Sequence, residues 1–200
     1  MSERDDALIV RYLEGETGAF ETLYHRYAAR LLGFVVSLGA PRDAAEDIAQ
    51  RTWLKVIDAI EQYKPTGRFR PWLFTVAHRM WIDETRSPWR RRRVAMEGGT
   101  DSNPAWAPIS ALIDPRKGPR QSAAEREERE QVGAALEELP DAMRQTVLLR
   151  IDADMTFREI AETMNCPLGT VLWRMNEATR RLTQRLGNTD QKEGTHDGRG

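Results

Sequence analysis

The sequence predicts an all-α protein with two small helical domains, a Pro-rich flexible linker between them, and a helix-turn-helix in the C-terminal domain. Three observations lead to this prediction. Apolar residues recur every three to four positions on both sides of the middle segment, as in amphipathic helices. The middle segment holds five of the ten prolines and has little helical period. The pattern near residues 156–186 has helix-turn-helix spacing. The predicted boundaries are 1–87 and 123–187 for the domains, 88–122 for the linker and 188–200 for a disordered tail.

Composition excludes several classes of protein. Charged residues make up 30% of the chain and the net charge is −1, but the charges are segregated, for example in the basic run Arg90–Arg93. A nucleic-acid binder with a net charge near zero must bind through local basic patches. The Arg90–Arg93 run could contact DNA or only keep its segment soluble. The single cysteine, Cys166, excludes an internal disulfide and suits a reducing compartment. No apolar run approaches the roughly 20 residues of a membrane span, and no signal peptide is present, so we expect a cytoplasmic protein without a membrane partner.

The spacing of apolar residues predicts the N-terminal helices in order along the chain. Residues 6–38 predict two helices, separated where Gly15 and Gly18 break the period. Residues 44–63 predict one further helix with Trp53, Val56 and Ile57 among its inward residues. Its outward face carries mostly charged side chains: Glu46, Asp47, Gln50, Arg51 and Lys55.

A turn at residues 62–67 precedes an amphipathic helix over residues 68–86, RFRPWLFTVAHRMWIDETR. Pro71 fits the first turn of that helix, where its missing N–H removes no hydrogen bond. Cations and aromatic rings at its surface are the residue types that follow a phosphate backbone and stack on unpaired bases. On composition alone, however, an ordinary half-buried helix with a solvated charged face explains the same pattern.

The C-terminal pattern is more specific. Thr156 followed by Glu159 predicts a capping box that opens a short helix. Asn165 then provides a residue that tolerates a left-handed turn, and the next helix begins near Pro167 and Gly169. The second helix of such a pair lies in the DNA major groove. Other DNA-binding regulators share this pattern.

Several phrases resemble bacterial sigma factors of the extracytoplasmic-function type, in the order found in that family and over about four fifths of the chain. Phe69–Phe74, with Ala77 and Asp83, is similar to the promoter-melting helix. Ala45–Val56, AEDIAQRTWLKV, is similar to the helix that docks onto the largest polymerase subunits, and Gly18–Leu32 resembles the opening helices. Leu136–Arg150 and Phe157–Val171 resemble the C-terminal domain that reads the minus-thirty-five element.

This resemblance implies a sigma factor that binds core RNA polymerase and directs promoter recognition, DNA melting and transcription initiation. Its expected partners are core RNA polymerase and promoter DNA, with an anti-sigma factor as a further candidate and no small-molecule substrate. The core-binding residues implied are Glu46, Asp47, Gln50, Arg51 and Lys55. Those implied at the minus-ten element are Tyr63, Lys64, Arg68, Phe69, His78, Arg79 and Arg86. Those implied at the minus-thirty-five element are Thr170, Leu172, Trp173, Arg174, Asn176, Glu177, Arg180 and Arg181.

Two departures from the family pattern have consequences. Ala44 and Arg51 stand where acids are usual, which should weaken a charge-matched contact with polymerase. Phosphorylation of Thr52 would restore roughly two negative charges and make docking kinase-dependent; the simpler alternative is an ordinary helix residue.

The recognition helix differs after Val171. Asn176 can read adenine and Glu177 can accept a hydrogen bond from cytosine, so the promoter sequence should differ from the family's usual one. Trp173 is open to two interpretations, contact with DNA or packing on a partner.

Two other functions remain as alternatives. A stand-alone helix-turn-helix regulator would explain the C-terminal pattern but would leave the docking helix and the Trp72 phrase without a purpose. An enzyme is disfavoured because three scattered histidines and one cysteine form no nucleophile or metal set, and no Gly-rich phosphate loop is present. We therefore predict no catalytic residue, no metal and no cofactor.

Overall fold

The computed structural model describes residues 4–86 and 131–193, with side chains to residue 187. These residues form helices joined by short turns, and no strand occurs among them, which confirms the all-α prediction. The chain divides into two compact units, one for each described range, and each is treated by itself below. The predicted linker at 88–122, its Arg90–Arg93 run and the end of the predicted tail lie outside the described residues.

Four helices and one short 3-10 turn build the N-terminal unit. They are α1 (Asp5–Leu13), α2 (Thr17–Ser37), α3 (Arg42–Ala59), the 3-10 turn (Ile60–Gln62) and α4 (Phe69–Arg86). Helix α2 packs on α1, α3 and α4, and α3 also packs on α4. The division of residues 6–38 into two helices is as predicted from the glycine positions.

Aliphatic side chains form most of the core of this unit, and aromatic rings join its helices. Phe34 of α2 and Phe74 of α4 are fully buried and meet edge to face, with ring centroids 5.0 Å apart. Trp53 of α3 lies 5.1 Å from the Tyr24 ring and 5.9 Å from the Phe20 ring. Because α3 and α4 both pack through these large residues, their remaining faces point to solvent.

The C-terminal unit contains α5 (described over residues 131–137), α6 (Asp141–Ile151), α7 (Phe157–Thr163) and α8 (Leu168–Glu193). The predicted capping box is present: the Glu159 amide donates to the Thr156 hydroxyl, and the Thr156 amide donates to the Glu159 carboxylate. Asn165 has φ +49°, the left-handed conformation predicted for the turn. Helix α8 packs on both α6 and α7, which completes the helix-turn-helix.

Helix α8 extends to Glu193, beyond residue 188, where the disordered tail was predicted to begin. Residues 188–193 contain neither glycine nor proline, so nothing in their backbone chemistry ends the helix. Gly187 costs only about 1 kcal/mol in a helix interior. None of the helices in the described parts of the chain combines the length and the apolar character needed to cross a bilayer.

Candidate functional site

The outer face of α3 is the first candidate surface. The five side chains predicted for polymerase docking are all exposed there: Glu46, Asp47, Gln50, Arg51 and Lys55. Leu54 is 55% exposed, and the 100° spacing of helix residues places it near the centre of this face. Ile57, predicted to point inward, is 39% exposed because the same spacing puts it beside Gln50. The sequence reasoning missed Leu54, although an apolar residue surrounded by charged positions was visible in the pattern.

The acids on this face are already paired with arginines. The Arg42 guanidinium donates to Glu46 at 2.9 Å, and the Arg51 guanidinium donates to Asp47 at 3.1 Å. Arg51 also lies 3.6 Å from Glu84 of α4. The departure at Arg51 therefore has a visible structural role, because this side chain bridges α3 and α4 and neutralises one of the docking acids.

Thr52 is fully buried, so the prediction that it is a phosphorylation site is wrong for the folded domain. Its hydroxyl donates to the Ile48 carbonyl at 2.7 Å and lies 3.4 Å from the Met80 sulfur of α4. A kinase would have to separate α3 from α4 to reach this oxygen. The helix period already indicated this burial, because Thr52 lies four residues after Ile48 and four before the inward residue Val56.

The turn before α4 is the second candidate surface. Tyr63 is half-buried, with its ring centroid 5.2 Å from that of Trp72 and 5.9 Å from that of Phe69. Its hydroxyl donates to the Asp6 carboxylate at 3.1 Å, and the Gly67 amide donates to the other Asp6 oxygen at 2.5 Å. Burial is the largest cause that raises the pKa of the Tyr63 hydroxyl, which therefore remains a donor at neutral pH.

An open cleft of about 900 Å³ lies next to this turn. Its walls are the N-terminal end of α1, Arg26 and Tyr27 of α2, and the turn residues Pro65–Gly67. The Asp5 carboxylate accepts hydrogen bonds from Arg26 and Tyr27 across the cleft. Gly67 has φ +71°, a left-handed conformation that favours glycine at this point of the turn.

Two residues predicted to contact the minus-ten element are buried instead. Phe69 has no exposed surface and His78 is only 3% exposed, so neither reaches DNA from the folded domain. Both face inward because α4 packs on α2 and α3 over a wide apolar face. Trp72, which the sequence reasoning did not assign to DNA, is half-buried beside Tyr63.

The remaining predicted minus-ten residues lie at the surface. Lys64, Arg79 and Arg86 are exposed, and Arg68 is half-buried. The structure thus places these cations on the turn and on the outer face of α4, with the aromatic pair Tyr63 and Trp72 at the turn.

The outer face of α8 is the third candidate surface. Val171 and Ala178 are fully buried against the rest of the unit, whereas Trp173 is 60% exposed and Leu172 is 41% exposed. Asn176 is also exposed. Thr170 and Arg174 are half-buried, and the Arg174 guanidinium lies 3.6 Å from the Cys166 sulfur in the turn.

Glu177 is held by the two arginines that follow it. Arg180 donates to its carboxylate at 2.7 and 2.9 Å, and Arg181 donates at 2.7 Å. The hydrogen bonds from Arg180, followed by those from Arg181, lower the pKa of Glu177 from 4.5 to about 2. The carboxylate therefore stays charged and paired above pH 4.5 and loses these pairs only as the pH falls toward 2. A cytosine would have to compete with these arginines for Glu177, because three of the roughly four lone-pair sites of its carboxylate already accept hydrogen bonds.

Two family models match the chain: Sigma-70 region 2 over residues 23–91 and Sigma-70, region 4 over residues 135–184. Together they span more than half of it. The chain is 27% identical over 172 residues to the ECF RNA polymerase sigma factor RpoE of Cereibacter sphaeroides, covering 86% of this chain and 88% of that protein. It is 27% identical over 193 residues to the ECF RNA polymerase sigma-E factor of Salmonella typhimurium, covering 93% and 97%.

The chain belongs to the extracytoplasmic-function sigma factors of the sigma-70 family.

A solved structure with the same fold is the sigma factor RpoE in complex with the anti-sigma factor NepR from Bartonella quintana. It has a TM-score of 0.63 and 22% identity, over 84% of this chain and 96% of that one. CnrH in complex with the cytosolic domain of CnrY has a TM-score of 0.59 and 22% identity, over 93% and 99%.

As an ECF sigma factor, this protein binds core RNA polymerase and directs promoter recognition and transcription initiation; it is not an enzyme. The alternative of a stand-alone helix-turn-helix regulator leaves the region 2 match at residues 23–91 unexplained. The family assignment confirms the function predicted from sequence, whereas the roles of individual residues remain predictions.

Proposed function

We propose that the three surfaces divide the work of this sigma factor. The outer face of α3 docks on core polymerase, the turn at residues 62–67 with the outer face of α4 opens the minus-ten element, and α8 reads the minus-thirty-five element. What supports this division best is the match of two sigma regions in the family's order, with each surface exposed inside the matched region. We keep the first domain at 1–87 and the start of the second at 123, and we move the end of the second from 187 to Glu193, where α8 ends.

Polymerase docking rests on an apolar centre with a charged rim. Leu54 is the most exposed apolar residue on the α3 face, and burying its remaining 55% against a partner is worth about 1–1.5 kcal/mol. The rim charges contribute about 0–1 kcal/mol each, and less where Arg42 and Arg51 already pair with Glu46 and Asp47. Docking is therefore driven mainly by apolar contact.

A matched pair of variants tests this docking surface. Leu54→Ser should weaken binding to core polymerase about tenfold or more, measured by fluorescence anisotropy with a labelled chain. Leu13→Ser is the control, because Leu13 is 46% exposed but lies on α1, outside the proposed face. Equal losses for both variants, or no loss for Leu54→Ser, would remove α3 from the docking site.

Promoter opening is assigned to cations and rings near the turn. Tyr63 and Trp72 offer stacking faces for unpaired bases, and Lys64, Arg68, Arg79 and Arg86 supply charge for the backbone. Extruding a base costs a few kcal/mol of unstacking, which binding to the single strand must offset. The protein carries out no chemistry on the DNA.

Two further assignments follow from relatives. The solved structure of RpoE bound to the anti-sigma factor NepR leads us to propose that an anti-sigma factor also controls this chain. We place the action of this sigma factor in the cytoplasm, where the polymerase acts. Co-purification from cells carrying a tagged chain, compared with the Leu54→Ser variant, would reveal both partners and show whether they share the α3 face.

A further inference from the structure

The outer face of the recognition helix carries exposed large apolar side chains among polar ones, where it would meet base edges. Helix spacing puts Gly169, Trp173, Asn176 and Arg180 on one line along α8, opposite the buried Val171. Trp173 is 60% exposed at the middle of this line, and Leu172 is 41% exposed beside it. Such large apolar side chains on an outward helix face indicate a surface that is covered when the protein works.

Charge around the patch favours duplex DNA as its occupant. Arg180 lies on the same line as Trp173, whereas Arg174 and Arg181 lie along one side of it, and one acid, Glu177, offsets only part of their charge. The patch lies on the second helix of a helix-turn-helix, the element that enters the major groove. An acidic protein partner could satisfy the arginines but would have no need of this groove-fitting geometry.

The chemistry of the patch selects among bases. The only apolar group that B-DNA presents in the major groove is the 5-methyl group of thymine, which lies next to the O4 acceptor. An indole offers both a large apolar surface and one N–H donor, so thymine complements Trp173 at two points. Glu177, the acceptor that would suit cytosine, already accepts three hydrogen bonds from Arg180 and Arg181, which disfavours a further one, whereas Asn176 is exposed and suits adenine.

We propose that Trp173 and Leu172 read thymine 5-methyl groups in the upstream promoter element, so that A·T pairs dominate the bases facing α8. This inference rests on the proposed role of α8 at the minus-thirty-five element. It assigns the base class that the helix prefers and removes Glu177 from base reading. Gly169, one turn before Trp173 and without a side chain, leaves room for the groove wall at this point.

The test uses holoenzyme assembled from the full chain and core polymerase. Bound duplexes are selected from a pool with a random upstream segment, and thymine should be enriched at two or more positions. Each enriched thymine is then replaced by deoxyuridine, which removes only the methyl group. Affinity should fall about fourfold per methyl contacted, the effect of exposing one such group to water.

Variants of the chain test whether Trp173 and Leu172 cause the loss of affinity that follows removal of a thymine methyl group. In the double variant Trp173→Ser/Leu172→Ser, thymine and deoxyuridine duplexes should bind equally, and each single variant should lose part of the preference. Trp173→Phe should keep the preference for thymine. Ile151→Ser is the matched control, because Ile151 is 59% exposed on α6 and should leave the ratio unchanged.

Three outcomes would overturn the inference: no thymine enrichment, equal binding of thymine and deoxyuridine by the unaltered chain, or a thymine preference that persists in the double variant Trp173→Ser/Leu172→Ser. A chain that fails to assemble with core polymerase would overturn the proposed function itself, which the anisotropy assay detects separately. Circular dichroism confirms that each variant is folded.

Discussion

Asp6 links the first helix to the turn that we assign to promoter opening, and its removal is the most informative single perturbation. One carboxylate oxygen accepts from the Tyr63 hydroxyl at 3.1 Å, and the other accepts from the Gly67 amide at 2.5 Å. Both donors belong to the turn, about 60 residues away in sequence. Asp6→Ala should therefore loosen the turn without altering α3 or the C-terminal unit.

The free energy that Asp6→Ala removes from the turn follows from these two hydrogen bonds. A hydrogen bond to a charged group contributes about 1.5–3 kcal/mol, and the neutral value is about 1 kcal/mol. Because Asp6 is half-buried and Gly67 is exposed, we take the lower value for each, which gives about 2 kcal/mol for the pair. That free energy corresponds to a roughly 30-fold larger open population of the turn.

Amide hydrogen exchange measures this population directly, because the Gly67 N–H is itself a donor. Exchange at Gly67 should be about 30-fold faster in Asp6→Ala. Core binding should be unchanged, whereas 2-aminopurine fluorescence at the minus-ten element should report slower or less complete opening. Glu14→Ala, which removes an exposed carboxylate after the end of the same helix, is the control.

Two results would refute the reasoning. Unchanged Gly67 exchange in Asp6→Ala would mean that the turn keeps its shape without this carboxylate. Faster exchange with normal promoter opening would mean that the shape of the turn has no bearing on melting.

Three further predictions follow from buried or paired side chains. Thr52→Glu should destabilise the N-terminal unit by about 3–5 kcal/mol in thermal unfolding, because it buries an unpaired charge, whereas Thr52→Val should cost about 1 kcal/mol. A stable Thr52→Glu protein with raised affinity for core polymerase would restore the phosphorylation hypothesis. Glu177→Gln should release two arginines to contact phosphates, so that the slope of log binding constant against log salt concentration becomes steeper by about one to two. An unchanged slope would show that the arginines already reach phosphate. Arg51→Glu should raise the affinity for core polymerase about twofold to fivefold at low salt, measured by anisotropy, because it restores an acid at the docking rim. A gain in affinity that survives at high salt would point to another cause.

Local signals in the sequence predicted the helix-turn-helix well. The Thr156–Glu159 capping box and the left-handed Asn165 depend on neighbouring residues alone, and both are present as predicted. Exposure of the α3 docking face was equally readable, since its charged residues repeat with the helix period. These features need no knowledge of distant contacts.

The failures involve residues whose environment is set by another helix. Phe69 and His78 carry chemistry that suits DNA, but α4 packs on both α2 and α3 and buries them. Thr52 is hidden by Met80 of α4, 28 residues away in sequence. The bond between Asp6 and the turn spans even more of the chain, and no periodic pattern indicates such a pairing.

Run-off transcription with purified core polymerase tests the central claim most directly, using a library of genomic fragments as templates. Initiation should require this chain and yield a defined start site. It should be lost or strongly reduced with Arg79→Ala, on the exposed face of α4, and with Arg174→Ala, on the recognition helix. A chain that binds both core polymerase and DNA but never supports initiation from any template, or that initiates equally well without either arginine, would contradict the account.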